Sequence, residues 1–121
     1  MQAFEVLRSF GGLHDLSAAL IIGGRDVSVE KQHIQTMNIL IATPGRLLQH
    51  LDETMEFDAS NLQMLVLDEV DRMLDMGFKR EVDEIITCLP RKRQTLLYSA
   101  TVTRSLKDLA RINMRKEVEY I

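Results

Sequence analysis

Two adjacent carboxylic acids, Asp68 and Glu69, follow directly on the apolar run Leu65-Val66-Leu67, and helical spacing begins after them. A buried strand of a parallel α/β protein ends in this way, which would place both acids at the carboxyl edge of the sheet, where such sheets bind ligands. There one of the two carboxylates can hold Mg²⁺, usually through water, while a nucleotide supplies other ligands. The neighbouring carboxylate can orient or deprotonate an attacking water. Acids at a helix start also cap free amides and favour the helix dipole, so the pair alone leaves a structural role open.

A third acid and two hydroxyls extend this pattern. Asp71 lies in the first turn of the predicted helix, and Ser99 and Thr101 come just after an apolar segment at 94–98. Because parallel strands end at one edge of a sheet, bonds between these hydroxyls and the Asp71 carboxylate are geometrically reasonable. Taken alone, the two hydroxyls are more typical of a cap for the next helix, and Asp71 of a first-turn helix acid.

Two glycine-containing turns are candidate phosphate-binding segments. Thr43-Pro44-Gly45-Arg46 lies between a predicted strand and a helix. Proline suits the first helical turn, glycine lets the backbone approach a ligand, and the helix N-terminus together with arginine can hold a phosphate. Gly23 and Gly24 follow another predicted strand and can act likewise. A capped helix start and a tight turn are the alternative interpretations of these two segments.

Strand-like and helix-like segments alternate along the whole chain. Apolar runs predict strands over residues 16–22, 38–42, 63–68 and 94–98, with a possible fifth over 118–121. Helical spacing predicts helices over residues 3–10, 27–36, 44–51, 72–89 with a break at Gly77, and 103–114. Buried strands separated by helices imply a parallel sheet covered on both faces, which is an α/β doubly wound fold. One domain is the simple interpretation.

Composition excludes several classes of protein. The chain has 121 residues, 45% hydrophobic and 27% charged, with no apolar run near the roughly 18 residues that a membrane span needs. No signal peptide opens it, so we expect an intracellular protein without a membrane partner. A net charge of −3 argues against a sequence-specific DNA-binding module but leaves a local phosphate-binding edge possible. The single cysteine, Cys88, excludes an internal disulfide and is expected to be a buried structural thiol.

The order of these segments resembles the first RecA-like domain of the DEAD-box RNA helicase family. Gly-Gly, Thr-Pro-Gly-Arg, Asp-Glu-x-Asp, Met-Gly-Phe and Ser-Ala-Thr follow one another, each at a predicted strand end or just after one. The resemblance covers nearly the whole chain. It implies a three-layer RecA-like α/β fold with a parallel sheet, ATP and Mg as cofactors, and ATP hydrolysis that acts on RNA.

The resemblance also implies a role for each candidate residue. Asp68 and Glu69 would be catalytic, Asp68 as the magnesium ligand and Glu69 as the acid that positions water. Asp71 would hold no metal but would couple nucleotide state to RNA binding through Ser99 and Thr101. Contacts to the RNA backbone would come from Gly23, Gly24, Thr43, Pro44, Gly45 and Arg46.

Two segments, 47–54 and 61–69, look most like a nucleolar subgroup of the family that acts in small-subunit ribosome assembly. This finer resemblance implies a location in the nucleus, and in the nucleolus within it. It also implies ribosome-assembly proteins as partners, besides RNA and the second RecA-like domain of a parent chain.

Two departures from the family pattern matter. Val70 stands where the family usually has alanine, although the three acids around it are retained. No Gly-x-x-x-x-Gly-Lys-Ser/Thr phosphate loop occurs in the 121 residues, nor does the adenine-reading glutamine segment or a second RecA-like domain with its arginine finger. Residues 1–121 are therefore expected to be the C-terminal portion of the first RecA-like domain, truncated at its N-terminus and inactive alone.

Two other functions compete with a helicase part. A domain without a phosphate loop could be a remnant that binds RNA or a protein and hydrolyses nothing. A flavodoxin-like signalling domain also binds magnesium through acids at strand ends. A flavodoxin-like domain would leave Thr-Pro-Gly-Arg and Ser-Ala-Thr unexplained. The coding sequence upstream of Met1 distinguishes the other two functions: a phosphate loop there would indicate an active helicase, and its absence would indicate a binding remnant.

Overall fold

The computed structural model describes residues 2–11, 17–23, 28, 31, 34, 37–54 and 57–113. The chain folds as two compact units, Met1–Asp58 and Ala59–Ile121. Within the described residues each unit contains one pair of parallel strands. None of the helices in these ranges is long and apolar enough to cross a membrane.

In the first unit the structure gives the bounds of two helices and two strands. These are α1 (Gln2–Gly11), β1 (Ala18–Ile21), β2 (Ile39–Ala42) and α2 (Pro44–Glu53). The two strands run parallel, and their register ends with Ile21 opposite Ala42. Their carboxyl ends therefore meet at one edge, which is where the two glycine-containing turns begin.

The second unit contains the acidic segment. Its elements are β3 (Met64–Leu67), α3 (Val70–Asp75), α4 (Lys79–Thr87), β4 (Gln94–Leu97) and α5 (Arg104–Asn113). Strands β3 and β4 are parallel, with Leu67 opposite Leu97 at the carboxyl end. One sheet face, with Leu65, Leu67 and Leu97, packs on a core of buried residues from the three helices: Val70, Val82, Ile86, Leu106 and Leu109. Burial of these side chains fixes the strand ends relative to the helix that carries Asp71.

Helices α3 and α4 are separate because Gly77 ends the first of them. Gly77 adopts φ 87°, a conformation that other residues rarely reach. Its N–H donates to the Leu74 carbonyl at 3.1 Å, and the Phe78 N–H donates to the Met73 carbonyl at 3.0 Å. These two bonds form a Schellman motif, which satisfies carbonyls left open at the end of a helix.

The sequence predicted the described elements well. All four strands that fall in the described ranges are present, and the helix predicted over 72–89 begins at Val70 and is broken at Gly77. The fifth strand at 118–121 lies outside the described residues, as does most of the helix at 27–36. The prediction for Cys88 was wrong, because this thiol is exposed. The buried face of α4 carries Val82, Ile85 and Ile86, and Cys88 is the C-cap residue, beyond the last helical residue Thr87 and outside that face.

Candidate functional site

Asp68 and Ser99 lie at the same edge of the β3–β4 sheet, as the sequence predicted. Asp68 follows β3 directly, and Ser99 comes two residues after β4 ends. The Tyr98 N–H donates to the Leu67 carbonyl at 2.8 Å, which extends the parallel ladder to the point where both loops begin. The two candidate segments are thus joined by backbone bonds.

Glu69 has an unusual backbone conformation. Its φ of 51° and ψ of 46° are left-handed, and among the described residues it is the only non-glycine residue with positive φ. Its N–H donates to Asp68 Oδ1 at 2.9 Å, and the next N–H, that of Val70, donates to the Tyr98 carbonyl at 3.1 Å. A left-handed glutamate costs about 1–2 kcal/mol, and such strain is concentrated at functional sites.

A purely structural role as a helix cap does not account for Glu69. It occupies the N-cap position of α3, but its side chain makes no cap hydrogen bond. Its carboxylate instead lies 3.6 Å from the Arg72 guanidinium, and both side chains are largely exposed to solvent. An exposed ion pair of this kind contributes little to stability, so the carboxylate is available to a ligand.

The hydroxyl–carboxylate contact expected across the strand ends is present. Thr101 Oγ1 donates to Asp71 Oδ2 at 3.0 Å, and Ser99 Oγ donates to the Thr101 backbone carbonyl at 2.7 Å. The Thr101 hydroxyl lowers the pKa of the Asp71 carboxyl below its ordinary value of 3.8, with smaller contributions from the Arg72 backbone N–H and from Ser99. Asp71 is therefore charged at neutral pH and bound to the loop that follows β4.

The acids at this edge fit a magnesium ion that is held largely by other ligands. Among the described residues no group of three or more His, Cys, Asp or Glu side chains is placed to hold a metal ion. Mg²⁺ commonly keeps several waters and binds through one or two carboxylates together with substrate phosphates. Exposed Asp68, with Glu69 next to it, matches that arrangement and not an all-protein cage.

Val70, the departure from the family pattern, is part of the core. Only 1% of its surface is exposed, and it belongs to the same buried cluster as Val82 and Leu109. Its methyl groups are therefore accommodated by packing, while the acids on either side of it in the sequence stay at the surface or half-buried.

In the first unit, Arg46 joins the start of α2 to the end of β1. The Arg46 Nε donates to the Ile22 carbonyl at 3.2 Å, and its Nη1 donates to Gln49 Oε1 at 3.0 Å. The Thr43 N–H donates to the Ile21 carbonyl at 3.1 Å. Arg46 is thus held beside Gly23, the first of the two glycines.

The glycines in this region have open surroundings. A Cβ added to Gly23 or Gly45 would meet no described atom within 4 Å, and neither residue has a left-handed φ. Thr43 is the N-cap residue of α2, yet its side chain makes no cap bond, and Pro44 occupies the first helical position. Neither crowding nor backbone strain explains why glycine occupies positions 23 and 45. Gly24 lies outside the described residues.

Sequence reasoning missed three features of the site. These are the left-handed Glu69, the bond from Val70 to the Tyr98 carbonyl, and the two bonds that Arg46 makes within the protein. A glutamate carries no signal for positive φ, and backbone bonds are independent of side-chain type. The spacing of Arg46 and Gln49, three residues apart on a helix, was the one available signal.

Comparisons with known proteins agree on one family. Residues 1–109 match the model of the DEAD/DEAH box helicase family. The chain is 62% identical over 120 residues to a mouse (Mus musculus) protein named probable ATP-dependent RNA helicase DDX10, and 58% identical over 121 residues to ATP-dependent RNA helicase DBP4 of Mycosarcoma maydis. These matches cover 99% and 100% of the chain but only 14% and 13% of the relatives' lengths.

Solved structures give the same result for the fold. A DEAD box protein from the hyperthermophile Methanococcus jannaschii matches 95% of the chain and 31% of its own, with a TM-score of 0.89 and 32% identity. A hypothetical ATP-dependent RNA helicase from Sulfolobus tokodaii matches 95% of the chain and 34% of its own, with a TM-score of 0.86 and 27% identity. The fold of the chain is accordingly the RecA-like α/β fold of these helicases.

Proposed function

Because the chain belongs to the DEAD/DEAH box helicase family, we propose that it is the C-terminal portion of the first RecA-like domain of an ATP-dependent RNA helicase. In this proposal the phosphate loop and the second RecA-like domain are supplied by other parts of a longer chain. The chain matches only 14% and 13% of the lengths of the two relatives, which supports this assignment.

One observation supports this function most strongly. The bond from Thr101 to Asp71 joins the loop after β4 to the helix that begins beside Asp68 and Glu69. One sheet edge therefore holds Asp68 as the candidate metal ligand, Glu69 as the candidate water-positioning acid, and the candidate coupling residues Asp71 and Thr101. A generic cap or a solvated acid cluster would not require this arrangement.

The two acids would divide the hydrolytic chemistry between them. Bound Mg²⁺ would neutralise charge on the phosphates of ATP. Asp68 would hold that ion through water, since its carboxylate is exposed at the strand end. Glu69 would orient the attacking water and accept its proton, and its left-handed backbone fixes where its carboxylate leaves the chain.

The first unit would contribute contacts to the RNA backbone. The N-terminus of α2 has no side-chain cap from Thr43 and no acid in its first turn, which favours a bound phosphate. Gly23, Gly24 and Gly45 would let the RNA approach, while Thr43, Pro44 and Arg46 shape the turn. Contacts of this kind position RNA without reading its sequence.

Asp71, Ser99 and Thr101 would couple the two activities. None of the three would touch ATP or RNA directly. A change at Asp68 or Glu69 on hydrolysis would reach the loop after β4 through the Asp71 carboxylate. This assignment makes them positioning residues, not catalytic ones.

A chimera tests the proposal, because the chain is 62% identical to the matching segment of the mouse relative. The 121 residues would replace that segment in the full-length relative, and RNA-stimulated ATP hydrolysis would be measured. Glu69→Gln should reduce hydrolysis by roughly 10²–10⁴-fold while ATP and RNA still bind. The control Glu5→Gln, an exposed glutamate on α1, should leave the rate unchanged. A Glu69→Gln chimera that hydrolyses ATP at the parental rate would rule out the proposed role.

The isolated chain is expected to bind RNA without hydrolysing ATP. Its 121 residues contain no phosphate loop, and phosphoryl transfer depends almost wholly on positioning and charge stabilisation. Because these residues contain no phosphate loop, a second candidate function is that of a module that binds RNA or protein without hydrolysing ATP. Turnover by the isolated chain that Glu69→Gln abolishes would show that the chain is catalytically self-sufficient.

The proposal includes a nucleolar role in ribosome assembly, with ribosome-assembly proteins as partners. It rests on the resemblance of segments 47–54 and 61–69 to that subgroup. A fluorescent fusion of the full-length protein that stays out of the nucleolus would contradict this part alone.

A further inference from the structure

A cleft lies at the amino edge of the β3–β4 sheet, opposite the edge that carries Asp68. It has a volume of about 470 Å³, which is within the range of ligand sites, and all its lining residues belong to the second unit. The polar and charged lining residues are Ser60, Asn61, Gln63, Lys92, Arg93 and Gln94. Four-residue strands separate the two edges by roughly 13 Å, so a ligand here would not touch the acids.

The charged side chains that line the cleft are cationic, in a chain that is negatively charged overall. Its lining contains Lys92 and Arg93 and no Asp or Glu, whereas the whole chain carries a formal charge of −3. The local charge therefore favours an anionic ligand.

Arg93 is held rigidly in the cleft wall. Only 8% of its surface is exposed, its Nε donates to Thr95 Oγ1 at 3.1 Å, and its Nη1 donates to the Pro90 carbonyl at 2.8 Å. Lys92 beside it is exposed. Because Arg93 is already fixed, only the exposed Lys92 side chain must be immobilised on binding, which lowers the ordering cost.

The uncharged lining residues identify the kind of anion. Asn61, Gln63 and Gln94 carry side-chain amides, which both donate and accept hydrogen bonds. Phosphate oxygens only accept, so they would bond with the amide N–H groups alone and leave the amide oxygens to water. A peptide backbone offers N–H and C=O groups in equal number, and carboxylate side chains would meet the two cations.

We propose that this cleft binds an acidic peptide segment of a partner protein. The site is distinct from the proposed ATP and RNA sites and does not depend on helicase activity. A carboxylate of the segment pairs with exposed Lys92, the charge of the buried Arg93 adds to the attraction, and the segment's backbone bonds to the side-chain amides.

The test uses the 121-residue chain with a fluorescein-labelled hexaglutamate peptide, and fluorescence anisotropy measures binding. A matched hexaglutamine peptide should bind at least tenfold more weakly, and added salt should weaken the hexaglutamate complex. Lys92→Glu should weaken hexaglutamate binding roughly five- to tenfold. Asn61→Asp adds a carboxylate to the lining without changing its shape, and it should weaken binding by a similar factor.

The control is Lys107→Glu, the same change of charge at an exposed lysine on α5 outside the cleft. It should leave binding within twofold of the unchanged chain. Circular dichroism would verify that all variants are folded. Equal weakening by Lys92→Glu and Lys107→Glu would overturn the proposal, since it would mean attraction by net charge alone. Absence of hexaglutamate binding at millimolar concentration would overturn it too, as would an oligouridine that binds through Lys92 more tightly than the peptide.

Discussion

Thr101 donates a hydrogen bond to Asp71 across thirty residues of sequence, with Oγ1 and Oδ2 3.0 Å apart. The bond connects the loop that follows β4 with the first turn of α3, and both begin at the carboxyl edge of one parallel sheet. It is a side-chain link between two segments that are also joined by the Val70 N–H and the Tyr98 carbonyl. The contribution of this link to stability depends on the charge of Asp71.

Replacing Thr101 with valine should therefore destabilise the second unit in a pH-dependent way. The pKa of Asp71 is lowered in the folded chain, chiefly by the Thr101 hydroxyl. A carboxyl with a lowered folded-state pKa contributes its full stability at pH values above its unfolded-state pKa, here 3.8. That contribution is lost as the pH falls from 3.8 through the lower folded-state pKa. Urea titrations at pH 7 and pH 3 should show that Thr101→Val lowers the free energy of unfolding at pH 7 and less so at pH 3.

Thr103→Val provides the contrast, two residues further on. The Thr103 hydroxyl accepts from the Leu106 N–H at 3.2 Å and so caps α5. Loss of a cap costs about 1 kcal/mol and involves no titrating group, so this variant should be destabilised equally at both pH values. If Thr101→Val shows the same pH independence, the Asp71 carboxylate is not the partner that matters.

Glu69→Gly should stabilise the fold while removing activity. Glycine adopts the left-handed conformation without the steric cost that a glutamate bears, so the free energy of unfolding should rise by about 0.5–1 kcal/mol. The same change in the chimera should abolish RNA-stimulated hydrolysis, because the water-positioning carboxylate is gone. Lys107→Gly, in the interior of α5, should instead lower stability by about 1 kcal/mol. A Glu69→Gly variant less stable than the parent would show that the glutamate conformation is not strained.

Gly45→Asp separates folding from RNA binding in the first unit. An acid at the second position of α2 favours the helix dipole and should be neutral or stabilising by about 0.5 kcal/mol. The same carboxylate would repel a phosphate at this helix end, so single-stranded RNA should bind the chain roughly fivefold more weakly. The slope of log affinity against log salt concentration should become shallower by about 0.7. Fluorescence anisotropy with labelled oligouridine at several salt concentrations measures both quantities.

Ser105→Asp is the matched control, since it adds the same charge at the second position of α5, which also has no acid in its first turn. Oligouridine should bind this variant as it binds the parent. Equal losses in the two variants would indicate that net charge, and not the turn at 43–46, governs RNA binding.

The sequence predicted the parts of this molecule that follow from side-chain patterning. Apolar runs located the strands, and the rule that parallel strands end at one edge was enough to bring Asp68, Asp71 and Thr101 together. Patterning could not predict the left-handed Glu69, since that conformation is imposed by the backbone bonds around it. It also failed for Cys88, because apolar neighbours do not determine which side of a helix end faces the core.

Replacing both Ser99 and Thr101 with alanine in the chimera should separate ATP hydrolysis from RNA unwinding. Thr101→Ala removes the bond to Asp71, and Ser99→Ala removes the bond that fixes the Thr101 carbonyl. Neither hydroxyl is proposed to contact ATP or RNA, so both should bind normally and hydrolysis should fall less than it does in Glu69→Gln. Unwinding of a short labelled duplex should fall at least tenfold per ATP hydrolysed. A double variant that unwinds the duplex at the parental rate would mean that the contact between Asp71 and Thr101 is structural only, and that another path couples nucleotide to RNA.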